Sequence, residues 1–333
     1  MNKNIKIFLN YFLGPVLFLW LSVSIYHQIA TQNDLPHALE QIKLAVTGND
    51  AWKLWLTVIL MLLNWGIEAR KWQVLLKSLQ PVSLLKAFNS VLSGVAFAIN
   101  TPNRIGEYGG RVLYINAGNR IKAVSLAMLG SISQLIITLL TGFCGLLYLK
   151  NLNILSTTGV VHPLSHIWFN IVVYGVLLVT LGVVLFYFRL SWMVRWLEKL
   201  PRKGKMIEYI KVLDSFAFAD LIRLLSLSLF RYLVFVSQYL LLFDLFGVQV
   251  NWWQGFWIVS VLFLILAIIP TFALAELGIR GKVSIFLLQG FSSNYAGIIS
   301  CTLGIWVINL VVPALIGSLL ILGVKFFRSD EEN

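Results

Sequence analysis

Thr101-Pro102-Asn103-Arg104-Ile105-Gly106-Glu107-Tyr108-Gly109-Gly110-Arg111 sets a proline, an acid and two bases inside an otherwise apolar stretch. Pro270-Thr271-Phe272-Ala273-Leu274-Ala275-Glu276-Leu277-Gly278-Ile279-Arg280-Gly281 does much the same near the other end of the chain. Glu107 and Glu276 lie 169 residues apart, each four residues before an arginine and five or six after a proline. A charge at the centre of a bilayer costs about 2.5–3.5 kcal/mol on insertion scales, so acid–base pairs at that depth point to function.

The surroundings make a bilayer the right frame. The 333 residues are 59% hydrophobic and 12% charged, with a mean hydropathy of +0.83. Soluble domains carry about 25% charged residues, so this composition is that of an integral membrane protein. Apolar runs of about 20 residues recur from end to end and leave no stretch for a soluble catalytic domain. The net charge of +12 is carried by short loops beside these runs, where it orients the protein and attracts anionic lipid. Nucleic acid is therefore not an expected partner. Cys144 and Cys301 fall inside apolar runs and read as small core residues.

Six full spans are expected at about 7–27, 54–72, 123–149, 165–188, 222–246 and 295–324. Two further apolar regions, 84–118 and 253–290, are each interrupted by one of the motifs. If both fold back as hairpins, 18 lysines and arginines fall on the inner side, Lys71 and Lys86 among them, against Lys43, Lys53 and Lys150 outside. The positive-inside rule then places both termini in the cytoplasm. Trp52, Trp55, Trp168, Trp252 and Trp253 form an outer aromatic belt, and Trp72, Trp192 and Trp196 an inner one.

This topology predicts an all-α membrane domain of six spans plus two re-entrant hairpins, arranged as inverted repeats. A first span and outer loop (1–53) precede the first repeat (54–149), and the inverted second repeat (222–324) precedes a cytoplasmic tail (325–333). Between the repeats lie a linking span and a basic amphipathic segment (150–221), in which Met193, Trp196, Leu197 and Leu200 recur at helical spacing. Inverted repeats with broken helices meeting near the midplane are a transporter signature.

Within the first motif, Thr101 and Pro102 suit an N-cap and a first helical residue. A helix starting there presents Arg104, Glu107 and Arg111 on one face, its N-terminus favouring an anion that the two arginines clamp. In the second motif Thr271 caps likewise and Glu276 and Arg280 lie one turn apart. Gly106, Gly109, Gly110, Gly278 and Gly281 allow close approach between the hairpins. Arg231, deep in its own span, must face the protein interior or a wet cavity. Glu68 and Arg70 end the second span, with Asn64 one turn before, and Gln134 is placed to bond between helices. The competing reading of the motifs is an ion pair that locks two hairpins together. His162 and His166 have metal-ligand spacing but sit beside Pro163 in an outer loop, so neither a metal nor a cofactor is expected.

Pro102-x-Arg104-x-Gly106-Glu107-x3-Arg111 resembles the first signature of the lysylphosphatidylglycerol synthase transmembrane (flippase-like) family. Asn64-x3-Glu68-x-Arg70-x-Trp72-x2-Leu75-Leu76 is similar to its entry segment, and Arg231, Gln238, Pro270, Glu276, Gly278 and Arg280 resemble its second half. The second motif departs from the family in placing Glu276 before Gly278. The resemblance covers nearly the whole chain but not the soluble aminoacyl-transfer domain of the full synthases, so lysine transfer to lipid is not expected. It implies a multi-pass protein of a bacterial inner (plasma) membrane that moves an anionic phospholipid or lipid-linked substrate between leaflets.

Three functions stay open on the sequence. A transporter would bind an anionic headgroup on Arg104, Arg111, Arg280 and Arg231, with Glu107 and Glu276 positioning them. A membrane-embedded enzyme on a lipid-linked substrate would need an acid at the membrane surface. A scaffold would use the charges only to hold its helices together.

Overall fold

The computed structural model describes residues 45–99, 101, 104–151, 163–190, 209–269 and 273–322, with Leu19, Val23 and Lys43 as isolated positions. The first expected span, Pro102, Pro270, Thr271, Trp192, Trp196, His162, most of the amphipathic segment and the C-terminal tail lie outside the described residues. The described elements are helical: α1 (Ala51–Leu76), α2 (Leu84–Ala98), α3 (Gly106–Val112), α4 (Arg120–Asn151), α5 (Pro163–Phe188), α6 (Phe218–Leu245), α7 (Trp252–Ile268), α8 (Ala273–Leu288), α9 (Tyr295–Trp306) and α10 (Val312–Leu322). A π-helical turn, Val307–Val311, joins α9 to α10.

Three helical stretches, Ala117–Asn151, Ile167–Phe188 and Tyr295–Leu322, are long and apolar enough to cross a membrane. Helices α1 and α6, with 26 and 28 residues, have the length too, at about 1.5 Å per residue. They differ in carrying charges: α1 buries Glu68 and Lys71, and α6 half-buries Arg231. Helices α2, α3, α7 and α8 are 7–17 residues long, short of the roughly 20 a crossing needs.

Local chemistry sets several of these ends. Ser83 caps α2 by accepting from the Lys86 amide, Asn251 caps α7 through Trp253 and Asn294 caps α9 through Gly297. Proline at 313 cannot donate to the carbonyl of Asn309 four residues back. The ladder widens there instead, the Val312 amide reaching Val307.

Both interrupted regions leave and return at one end of the bundle. Gln80, before α2, accepts from the Asn116 amide at 3.3 Å and from Asn119 Nδ2 at 3.5 Å, beyond α3. Asn294, beyond α8, donates to the Phe246 carbonyl at 2.9 Å, before α7, and the Gln249 amide donates to Ser292 Oγ. These are opposite ends, because α1 and α6 run antiparallel. Lys53 at the start of α1 pairs with Asp244 at the end of α6 (2.8 Å), and with Asp50. Hydrogen bonds to Asp244 and Asp50 hold the Lys53 ammonium above its ordinary pKa. Further along the pair, Gln238 Nε2 donates to the Thr57 carbonyl and Lys71 Nζ to Ser228 Oγ.

Helix α2 also packs on α10, and α7 on α4. The first contact is tight enough that a Cβ on Gly317 would sit 2.0 Å from the Leu92 carbonyl oxygen. Gly106 and Gly110 allow the same intimacy within the first interrupted region, against Phe97 and Ser93. Gly109, Gly278 and Gly281 have open space around them, so close approach does not explain those three. Trp72 is not part of an inner belt: it is fully buried and donates to Ser90 Oγ. Trp52, Trp55, Trp168, Trp252 and Trp253 are exposed. Cys301 is buried as expected, whereas Cys144 is exposed.

Candidate functional site

Helix α1 supplies the hub of the charged cluster. Asn64, Glu68, Lys71 and Trp72 recur at three- and four-residue spacing and so share one buried face. Glu68 takes three cations: Lys71 Nζ at 2.9 Å, Arg111 Nη2 at 2.8 Å and Arg231 Nη1 at 3.1 Å. Arg111 also pairs with Glu107 one turn before it, and its guanidinium lies 5.5 Å from the Trp72 ring. Lys71 Nζ further donates to the Gly130 carbonyl at 3.3 Å.

Lys71 was expected in a cytoplasmic loop and is instead 1% exposed at the centre of the cluster. Arg70 is the reverse. It points outward to Gln73 and takes no part in the cluster, because one residue along a helix turns the side chain by about 100°.

A second group forms around Arg231 and α8. Arg231 Nε donates to Asn64 Oδ1 at 2.9 Å, and its guanidinium lies 5.1 Å from the Trp65 ring. Asn64 Nδ2 donates in turn to Asn309 Oδ1 at 3.2 Å, on the π-helical turn. Arg280 pairs with Glu276 as its spacing requires, and also donates to Tyr239 Oη at 2.7 Å. Asn309, Trp65 and Tyr239 thus join residues that the motifs alone pick out.

The first motif does not fold as one helix. Thr101 Oγ1 does accept a backbone amide, but that of Gly106 at 2.8 Å, and α3 begins there. Arg104 has φ +59°, the sole non-glycine positive φ among the described residues. A left-handed residue costs about 1–2 kcal/mol and cannot continue a right-handed helix. Arg104 therefore does not share a face with Glu107 and Arg111. It lines a cavity of about 50 Å³ together with Arg231, Glu276, Arg280, Asn64 and Asn309.

Four of the lining residues carry an unpartnered donor. Arg104 Nε, Arg280 Nε, Trp65 Nε1 and Trp306 Nε1 all belong to its lining and are buried without an acceptor among the described residues. Arg104 has no ion-pair partner among those residues within 4 Å, though Glu107 and Glu276 are both within electrostatic range. Lys71, Arg104, Arg111, Arg231 and Arg280 set against Glu68, Glu107 and Glu276 leave two positive charges in excess. No group of three His, Cys, Asp or Glu side chains among the described residues could hold a metal ion.

Residues 8–317 match the family described as the lysylphosphatidylglycerol synthase TM region. The chain belongs to that family. It is a multi-pass membrane protein of a lipid-related family, with both interrupted segments and the whole charged cluster inside the matched region. No curated protein matches it. As a lysylphosphatidylglycerol synthase TM region, it keeps the acids and arginines quoted above in three surroundings. Glu68, Glu107 and Arg111 form an ion cluster that Arg231 links to the cavity lined by Arg104, Arg231, Glu276 and Arg280, and Arg70 is exposed.

Proposed function

We propose that this protein is a flippase-like transporter that moves an anionic lipid or lipid-linked substrate between leaflets, with the headgroup held in the cavity. One observation carries the reading: a single chamber gathers Arg104 from the first interrupted segment, Glu276 and Arg280 from the second, and Arg231 from the helix between them. Guanidinium groups match phosphate oxygens in fork geometry and keep their charge at any relevant pH. No residue of the cluster is given a bond-making role.

The packing supports an inverted repeat as the frame. Helix α1 meets α6, while α2 meets α10 and α7 meets α4, so each half offers its partner the same pair of elements. The two interrupted segments open at opposite ends, as re-entrant hairpins in an alternating-access transporter do. In this frame α1 is a span ending inside and α6 a span ending outside, both termini are cytoplasmic, and the bilayer is a bacterial inner membrane.

Reconstitution into liposomes with a labelled anionic lipid tests the reading. Arg104→Ala is expected to slow translocation by about tenfold or more, the loss of one charge-assisted contact of about 1.5–3 kcal/mol. Equal translocation by Arg104→Ala and the parent protein would overturn it.

A further inference from the structure

We infer that the cavity takes a doubly charged phosphomonoester in preference to the singly charged phosphodiester of common anionic phospholipids. This rests on the proposed anion-binding role of the chamber and narrows it. Two independent features of the site agree.

The first is charge. The cluster's two surplus cations face a partly enclosed cavity, where an uncompensated charge costs more than it does in open water. A phosphodiester neutralises one of them. A phosphomonoester, at about −1.5 to −2 near neutral pH, neutralises both.

The second is donor geometry. Four residues of the lining, Arg104, Arg280, Trp65 and Trp306, each carry a buried N–H with no acceptor among the described residues, in reach of a ligand once the side chain turns toward the cavity. An unmet buried donor costs about 1–3 kcal/mol, so a ligand with more acceptor oxygens gains more. A phosphomonoester offers three terminal oxygens where a phosphodiester offers two. At about 50 Å³ the chamber holds a few water molecules or one phosphoryl group, not a whole lipid, leaving the acyl chains outside.

The pH dependence follows from the ligand. Facing the cavity are Arg104 before α3, Arg231 on α6, and Glu276 and Arg280 on α8. Behind them lie Tyr239 on α6, Glu68 and Lys71 on α1, and Glu107 and Arg111 on α3. The arginines stay charged throughout. Protonating Glu276 at low pH would add positive charge and favour an anion. Loss of binding as pH falls through about 6 would therefore report protonation of the phosphomonoester itself.

The test is equilibrium binding to the full chain in detergent micelles, comparing short-chain phosphatidic acid with phosphatidylglycerol. At about pH 7.5 phosphatidic acid is expected to bind about tenfold or more tightly, because one extra unit charge acts at close range in a poorly screened site. At about pH 5 the preference should shrink to about twofold as the phosphomonoester loses its second charge. Arg104→Gln should equalise the two lipids, and Glu276→Gln, which removes a negative wall, should tighten both. Equal binding of the two lipids at neutral pH overturns the dianion assignment and leaves the anionic-headgroup reading standing. A preference that persists at about pH 5 overturns it as well. Failure of both lipids to bind overturns the underlying reading too. Glycerol 3-phosphate as competitor separates the sources: displacement at equal concentration supports the phosphoryl assignment but turns the transported species from a lipid to a soluble phosphoester.

Discussion

Glu68 is where the cluster is most exposed to test by substitution. It is the common counter-charge of Lys71, Arg111 and Arg231, and its side chain is 4% accessible. Removing one partner of a buried ion network leaves the others uncompensated, at a cost of about 3–5 kcal/mol. Glu68→Gln is therefore expected to lower thermal stability in detergent by that amount. Arg70→Gln, on the outward face two residues away, should stay within about 0.5 kcal/mol of the parent. A Glu68→Gln protein that melts with the parent would refute the hub role. At this scale the sequence was partly readable. The pairs Glu107–Arg111 and Glu276–Arg280 follow from four-residue spacing, and Arg231 from its isolation in an apolar run. Lys71 was misplaced because it was counted with its neighbour Arg70 as loop charge, although three-residue spacing already set it on the face of Glu68. The left-handed Arg104 had no such signal, since no glycine or asparagine marks its own position. Asn309 had none either, as its partner Asn64 is 245 residues away.

Among the elements, the contact between α2 and α10 is set by a missing side chain. A methyl group on Gly317 would overlap the backbone of Leu92, which has no rotamer to escape into. Gly317→Ala is expected to destabilise by about 1–3 kcal/mol, the usual range for overpacking. Gly66→Ala, in α1 with nothing within 4 Å, should be neutral or gain about 0.5–1 kcal/mol of helix preference. The two melting curves, read side by side, separate helix propensity from helix contact. The interruption of both apolar regions was legible, because proline and charge mark it. The start of α3 was not: Thr101 and Pro102 predict a start there, yet Thr101 Oγ1 reaches forward to Gly106. Nothing local in the sequence distinguishes those two uses of one hydroxyl.

For the whole molecule, the fold-back geometry has a simple readout. In a background without Cys144 and Cys301, single cysteines at Ser78 and Gly118 should react with an impermeant thiol reagent from one side of the membrane. Cysteines at Gln249 and Ser293 should react from the other. All four positions are exposed and flank the two interrupted regions. Labelling of Ser78→Cys and Gly118→Cys from opposite sides would mean the first region crosses rather than returns. At this scale the all-helical, membrane-spanning character was readable, since composition and apolar run lengths constrain it directly. What could not be read was which charges share a chamber, because that depends on contacts between residues more than 150 positions apart, such as Arg231 with Asn64.

The surplus of fixed guanidinium charge on the chamber walls also bears on permeation. At about 5 Å and an effective dielectric of about 20, each uncompensated arginine repels a potassium or sodium ion by about 3 kcal/mol. An empty chamber of this kind is a poor conduit for cations even while it is wet. Proteoliposomes carrying the protein should therefore hold a potassium gradient, and with it a membrane voltage, as well as protein-free vesicles do.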